Sequence, residues 1–332
     1  MGETTPQPQN RNITTPAGLG PEVRRSRLRR FQQEFPSFVK KNRGLLARPA
    51  FWAMLARLAT ARLRPMPLGA GARAKVKVKA GARSEPVMFI ATHHKVMTTY
   101  FTAVLRLLSF GINRRYQRVF SDPPDPGARL VLAAHGKLDL PALCPSYRGV
   151  HIMRDPRDMI VSGYHYHKWT YEDWVHRPDE AGVSYQQKLN RADRRAGLFM
   201  EIEHFIFFYR ETLERWDVED PDILEVSYED LMSEQRSQLY RDMFTHLGFA
   251  GRDLDLGCDL MRLFEAGSRT GRKTGVGSGR GAAGAAGGGI AVVAKNNHLR
   301  SGRSGQWRDE LEAEHLDYIE RELGPVLRKF GY

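Results

Sequence analysis

Two apolar rhythms alternate along this chain. Short apolar runs at 87–91, 130–134, 150–153 and 223–226, interrupted only by His151 and Glu225, suit strands buried on both faces. Between them, apolar residues recur at helical spacing over 98–110, 159–169, 185–216 and 229–247, and a last helix is predicted over 309–329. Strand followed by helix, repeated, predicts an α/β fold with a mostly parallel sheet between helical layers.

The ends of the chain follow other rules. Residues 1–45 lack apolar periodicity, opening on Pro, Thr and Arg, and are predicted to form a disordered basic arm. A helix is predicted over 49–64, with Phe51, Leu55 and Leu58 on one stripe, Trp52 beside it and Arg57, Arg62 and Arg64 adding charge. Such a helix can pack its stripe on the domain, the preferred reading, or lie on an anionic bilayer. Strict alternation of Lys with Ala and Val over 74–79 reads as an edge strand with a basic solvent face. Residues 275–289 are nearly all Gly, Ala and Ser, which predicts a flexible loop, either a lid or a tolerated insertion.

With 332 residues, 41% apolar and 27% charged, the chain can bury an ordinary core. Its net charge of +13 would suggest nucleic acid, but the first 80 residues hold seventeen Lys and Arg against three Asp and Glu. That segment carries +14 and the remainder −1, so a specific nucleic-acid partner is not expected, and the arm reads as a solubilising tail, an RNA-sticking segment or a peripheral membrane contact. The two cysteines, Cys144 and Cys258, build no disulfide framework, and no apolar stretch suggests a signal peptide or membrane span. A cytoplasmic location, with membrane association through the arm, is expected.

Three segments carry chemistry. The first run exits into Thr92-His93-His94-Lys95-Val96-Met97-Thr98-Thr99-Tyr100, where a loop with one Lys and two Thr opens a helix. Such a junction aims backbone N–H groups and a dipole at an anion, although a plain Thr N-cap explains it as well. It is not a Walker A loop, whose pattern occurs nowhere in the chain. The third run exits at Arg154-Asp155-Pro156-Arg157-Asp158, with Ser162 about two turns into the next helix. Arg154 and Ser162 can grip a phosphate, or Arg154 can pair with Asp155. The third segment, Arg300-Ser301-Gly302-Arg303-Ser304-Gly305, is a basic Gly-punctuated loop, either an anion nest or a surface turn.

Together these segments resemble the sulfotransferases that use 3′-phosphoadenosine 5′-phosphosulfate. KVMTTY at 95–100 resembles the family's 5′-phosphosulfate loop, usually Lys-Ser-Gly-Thr-Thr-Trp. RDPRDMIVS at 154–162 is similar to its 3′-phosphate motif, and RSGRSGQW at 300–307 to its C-terminal Arg-Lys-Gly-x-x-Gly-Asp-Trp element. The stretch from Tyr228 to Leu231 matches a Tyr-Glu-Asp-Leu segment whose Tyr lies near the adenine. The resemblance runs from about residue 87 to the C-terminus. It implies a single P-loop-like three-layer α/β/α domain over 81–332, with the helix and edge strand of 46–80 before it. It also implies donor contacts from Lys95, Met97, Thr98, Thr99, Tyr100, Arg154, Ser162, Tyr228, Arg300, Ser301 and Gly302.

The departures are Met97 for Gly, Tyr100 for Trp and Ser301 for Lys. Because Met seldom takes positive φ, the loop is expected to keep negative φ at Met97 with its side chain turned away from the donor. The family's general base, a His on the strand between the phosphate motifs, corresponds to His135, with His93, His94 or a structural role as alternatives. A pKa near neutrality is expected for it. Lys95 would neutralise the departing phosphate. No metal is expected, since His165 and His167 are two apart on a helix and point apart. The implied activity is sulfuryl transfer by in-line displacement to a hydroxyl, less readily an amine, of a small-molecule, lipid or carbohydrate acceptor. The rival reading is a catalytically silent nucleotide-binding protein of the same fold.

Overall fold

A computed structural model describes residues 46, 49–63, 85–137, 139–265 and 303–332, without side chains for 59–63. The arm at 1–45, the edge strand at 74–79, the loop at 275–289 and the residues Arg300, Ser301 and Gly302 lie outside the described residues.

Five strands, β1 (Val87–Thr92), β2 (Tyr116–Val119), β3 (Leu130–Ala134), β4 (Tyr147–Met153) and β5 (Ile223–Ser227), form one sheet in the order β2-β3-β1-β4-β5. Every pairing is parallel. Four of the strands are the apolar runs of the sequence. β2 was not expected, because Tyr-Gln-Arg-Val is half exposed at the sheet edge and shows no apolar run.

Side chains alternate across the sheet, as pleating dictates. Ile90, Leu130, Leu132, Val150 and Ile152 face one core, and Phe89, Ala91, Val131 and Ala133 face the other. The first core is closed by α2 (Thr98–Ile112), α4 (Pro156–His167), α7 (Arg194–Arg215), α9 (Arg236–His246), α10 (Gly251–Glu265) and α12 (Ala313–Lys329). Short helices α3 (Leu140–Leu143), α5 (Asp173–His176), α6 (Tyr185–Arg191), α8 (Tyr228–Met232) and α11 (Trp307–Glu310) join them.

The helix expected over 185–216 is two, α6 and α7, because Asp193 stops the first and caps the second, accepting from Ala196 N–H at 2.7 Å. The one expected over 229–247 divides into α8 and α9, and the last helix starts at Ala313 after the short turn of α11. Helix α10 was not anticipated. Its Leu254, Leu260, Met261 and Phe264 are buried, but Asp and Gly residues interrupt the apolar rhythm.

The early helix is α1 (Pro49–Leu63), and it packs on α2 and α10. Phe51, Met54 and Leu58 are buried while Trp52 is 54% exposed. Burying each such side chain is worth about 1.5–3 kcal/mol, so the stripe is committed to the domain. Among the described residues no helix is long and apolar enough to cross a membrane.

The strand order positions the chemistry. In a parallel sheet all carboxyl ends share one edge, and ligands bind where the chain switches direction, here between β1 and β4. The loops that begin at His93, His135 and Arg154 leave β1, β3 and β4 at that edge, and Tyr228 follows β5.

Candidate active site

The loop after β1 is built on left-handed backbone. Lys95 has φ 64° and Met97 φ 54°, so the expectation of negative φ at Met97 is wrong. The turn needs this conformation to bring β1 into α2 within a few residues, and Met97 adopts it at the N-cap while its side chain packs on the first core. Holding an L-residue there costs about 1–2 kcal/mol. Met97 caps with no side-chain hydrogen bond. The Thr N-cap reading also fails, since Thr98 Oγ1 pairs with Thr92 Oγ1 at 2.9 Å and donates to the His93 carbonyl at 3.1 Å. With no side-chain cap, the N-terminal N–H groups of α2 are available to an anion. Thr99 is exposed at this end.

Tyr100 is misplaced by the resemblance. It is fully buried between Phe101 and Phe264, and its hydroxyl donates to the Met261 carbonyl at 2.9 Å. It is a core residue held by α10 and offers no open face for an adenine.

Lys95 lies with Nζ 3.7 Å from the centre of the Tyr166 ring. Burial, then the Arg154 charge, lowers its pKa to about 7 against the opposing pull of Glu172 and Glu201. The ammonium is thus held in a place that favours an added negative charge.

Arg154 ties the motifs together. Its Nη1 donates to the Lys95 carbonyl at 3.4 Å, its Nη2 to the Arg303 carbonyl at 3.2 Å, and its guanidinium lies 4.4 Å from the Tyr228 ring centre. The carboxylate beside it is Asp158 at 3.5 Å, whereas Asp155 pairs with Arg157. Asp158 also accepts the N–H groups of Gly305 at 2.7 Å and Trp307 at 3.1 Å, which pins the C-terminal motif to the start of α4. Gly305 has φ 76°, so this turn uses the freedom of glycine. Arg157 stacks on Trp307 at 4.0 Å. Although Arg154 is only 4% exposed, its Nε has no hydrogen-bond partner. Ser162 is half-buried on α4.

His135 ends β3, with φ 71°, and is followed by Gly136 at φ 61°. A Cβ on Gly136 would stand 2.4 Å from His93, so glycine is required for the two loops to meet. Burial, then Arg118, lowers the His135 pKa to about 4, with Glu172 opposing, so the expected near-neutral value is not found and the imidazole is neutral at pH 7. Its ring lies 5.3 Å from Phe120 and 5.3 Å from His94.

The neighbouring histidines separate by role. His93 is fully buried and shares a 2.7 Å hydrogen bond with His151, whose Nδ1 lies 2.6 Å from Glu225. Trp216 donates to that carboxylate at 2.7 Å, so His93 belongs to a buried relay beneath the site. His94 stacks on His167 at 5.1 Å and lies near Tyr166 and Tyr209. Burial drives the pKa values of both His93 and His94 well below the ordinary range. His165 and His167 go to different carboxylates, Glu310 and Glu201.

Sequence reasoning missed Glu172, which faces this centre. It accepts from Tyr166 at 2.9 Å and Trp174 at 2.8 Å. Burial raises its pKa, but these hydrogen bonds, with the neighbouring His167 and His135 acting in the same direction, outweigh that and leave it below the usual value. Nothing in the local sequence marks it.

The crystal structure of a mouse sulfotransferase, SULT7A1, complexed with PAP is similar at 15% identity and a TM-score of 0.43, covering 74% of this chain and 85% of that one. Retinol dehydratase in complex with androsterone and inactive cofactor PAP is similar at 17% identity and a TM-score of 0.40, covering 93% and 95%. No curated protein sequence matches. The family described as sulfotransferase domain matches residues 88–254, half of the chain, which takes in the loops of Lys95, His135, Arg154 and Tyr228. The chain belongs to the sulfotransferase domain family.

Proposed function

We propose that the chain transfers a sulfuryl group from 3′-phosphoadenosine 5′-phosphosulfate to a hydroxyl acceptor, with an amine as second choice, using one domain over 81–332. The observation that carries this reading is Arg154, a buried cation that touches the Lys95 loop, Tyr228 and the C-terminal segment at once. Its unpartnered Nε, the uncapped start of α2 and the half-buried Lys95 fit a nucleotide bearing several negative charges. Bound there, the nucleotide supplies an activated sulfuryl group.

The chain's own residues divide the remaining work. His135 accepts the acceptor's hydroxyl proton on its neutral ring as the O–S bond forms and the bond from sulfur to the phosphate oxygen breaks. Lys95 neutralises the charge that gathers on that departing oxygen, most effectively in a dry cleft. The rings of Phe120, Tyr166 and Tyr209 around His135 and His94 favour an apolar or aromatic acceptor. A base as weak as His135 suits a phenol better than an aliphatic alcohol. Cys144 and Cys258 are free thiols, which accords with a cytoplasmic setting. Peripheral membrane contact rests on the basic arm alone, because the apolar stripe of α1 is covered.

The test combines calorimetric titration with 3′,5′-bisphosphoadenosine and incubation of labelled donor with phenols, alcohols, lipids and carbohydrates. Binding with labelled product supports the proposal. Binding with no product from any acceptor favours the silent nucleotide-binding reading, and absence of both overturns the donor assignment.

A further inference from the structure

Beyond His94, helices α4 and α7 bring together a second set of side chains that sulfuryl transfer does not use. His167 comes from the last turn of α4, while Glu201 and His204 are three apart on α7 and share its face. One ligand-capable atom from each lies within 4.8 Å of the others. His167 is fully buried, Glu201 is 2% exposed and His204 is half-buried.

The surroundings hold this set in place. Glu201 Oε2 lies 2.9 Å from His167 Nδ1 and accepts from the Tyr185 hydroxyl at 2.9 Å. Trp174 stacks on His204 at 4.8 Å and 8°, which fixes the plane of that imidazole. A Cβ on Gly163 would come within 2.3 Å of Glu201 Oε1, so glycine in α4 makes room for the carboxylate. One atom is unsatisfied. His167 Nε2 is buried and has no hydrogen-bond partner.

Glu201 is a buried carboxylate set beside two imidazoles, which creates a demand for positive charge. A cation with affinity for nitrogen meets it. In this set His167 serves through Nδ1, the nitrogen that now shares a hydrogen bond with Glu201, so the ion takes the place of that proton between the two groups. Two imidazoles and one carboxylate, with a fourth position open, form a set that suits zinc, whereas magnesium and calcium prefer oxygen alone. Tetrahedral bonds of about 2.0–2.2 Å place ligand atoms roughly 3.3 Å apart, so the side chains need to close by an ångström or so.

We propose that His167, Glu201 and His204 bind one divalent transition-metal ion, with zinc as the best match to the donor set. His94, stacked on His167 and 5.3 Å from His135, places the ion one imidazole away from the acceptor side of the cleft. The proposal does not rest on the transfer reaction.

The experiment uses the full untagged chain, stripped with a chelator, freed of it and equilibrated with zinc. Metal per chain is read by atomic emission, affinity by competition with a chromophoric chelator, and the thermal midpoint with and without metal. One zinc per chain and a raised midpoint are expected in the wild type. His204→Ala and the bulkier His204→Gln, at the half-buried ligand, should weaken binding by about 100-fold or more. Tetrahedral cobalt bands should appear in the wild type and vanish in both variants. A wild type that holds no zinc and shows no shift overturns the proposal, as does a folded variant of either kind that binds like the wild type.

Discussion

The guanidinium of Arg154 lies 4.4 Å from the centre of the Tyr228 ring, joining the segment after β4 to the one after β5. The contact belongs to a residue that also holds the backbone of the Lys95 loop and the C-terminal segment. Arg154→Ala should therefore lose stability as well as donor affinity. Removing one partner of a buried pair typically costs 3–5 kcal/mol, and because Asp158 keeps two backbone N–H donors we expect about 2–4 kcal/mol. Urea melts and calorimetric titration of Arg154→Ala and Arg154→Lys measure the two losses. A change in donor affinity with no change in melt would show that the hub contributes nothing to folding.

His135→Ala should reduce turnover roughly 10²- to 10⁴-fold while donor affinity stays almost unchanged, since the imidazole acts on the acceptor proton in the transition state. His94→Ala serves as comparison, because its ring touches His135. Steady-state rates with labelled donor decide. If only the His94 variant is inactive, the base has been assigned to the wrong histidine.

The pH profile follows from two depressed pKa values. His135 must be neutral, which holds above about 4, and Lys95 must be charged, which holds below about 7. The ratio kcat/KM, reporting the free enzyme, should therefore fall on the acid side near 4 and on the alkaline side near 7. In kcat the alkaline limb should move upward, because bound donor anions favour the protonated lysine. Lys95→Arg should abolish the alkaline limb. An unchanged limb in that variant would assign it to another group.

Positive φ at Met97 makes the loop sensitive to branching. Met97→Gly relieves about 1–2 kcal/mol of backbone strain and loses a comparable amount of packing, so its stability should stay within about 1 kcal/mol of the wild type. Met97→Val, branched at Cβ, should cost about 2 kcal/mol or more. Denaturant midpoints of the two variants give the order, and a Val variant as stable as the Gly one would mean that the turn relaxes to negative φ.

Stability should also decline in acid. His93, His94, His135 and His204 all have depressed folded-state pKa values, those of His135 and His204 near 4 and 3. The unfolded chain takes up protons from about 6.5 downward while the folded one does not. Their contribution is thus whole above about 6.5 and drains away as pH falls toward 4. Thermal midpoints between pH 7.5 and 4.5 should drop steadily, and a flat profile across that range would contradict the burial of these rings.

What the sequence could show was what is local. Four strands announce themselves because strands covered by helices are mostly apolar, with His151 and Glu225 as the exceptions, and the junctions after the first three carry Lys95, His135 and Arg154 at readable positions. Pairings across the sheet are not written locally. His151 and Glu225 are cross-strand neighbours in β4 and β5, and only that register turns them into the relay under His93. The fate of Tyr100 depended on α10, more than 150 residues further on, whose Met261 carbonyl and Phe264 ring take it into the core. Met97 shows the opposite failure. Its dislike of positive φ is real, yet the turn between β1 and α2 overrides it.

Lys95 and His135, the two residues assigned to the reacting atoms, both stand on left-handed backbone, at φ 64° and 71°. Neither side chain is at ease there, and each costs about 1–2 kcal/mol that glycine or asparagine would spare. Selection for heat resistance alone will accordingly find some of its easiest improvements at these two positions and deliver tougher, inert proteins. Any programme to harden this chain must screen for turnover from its first round.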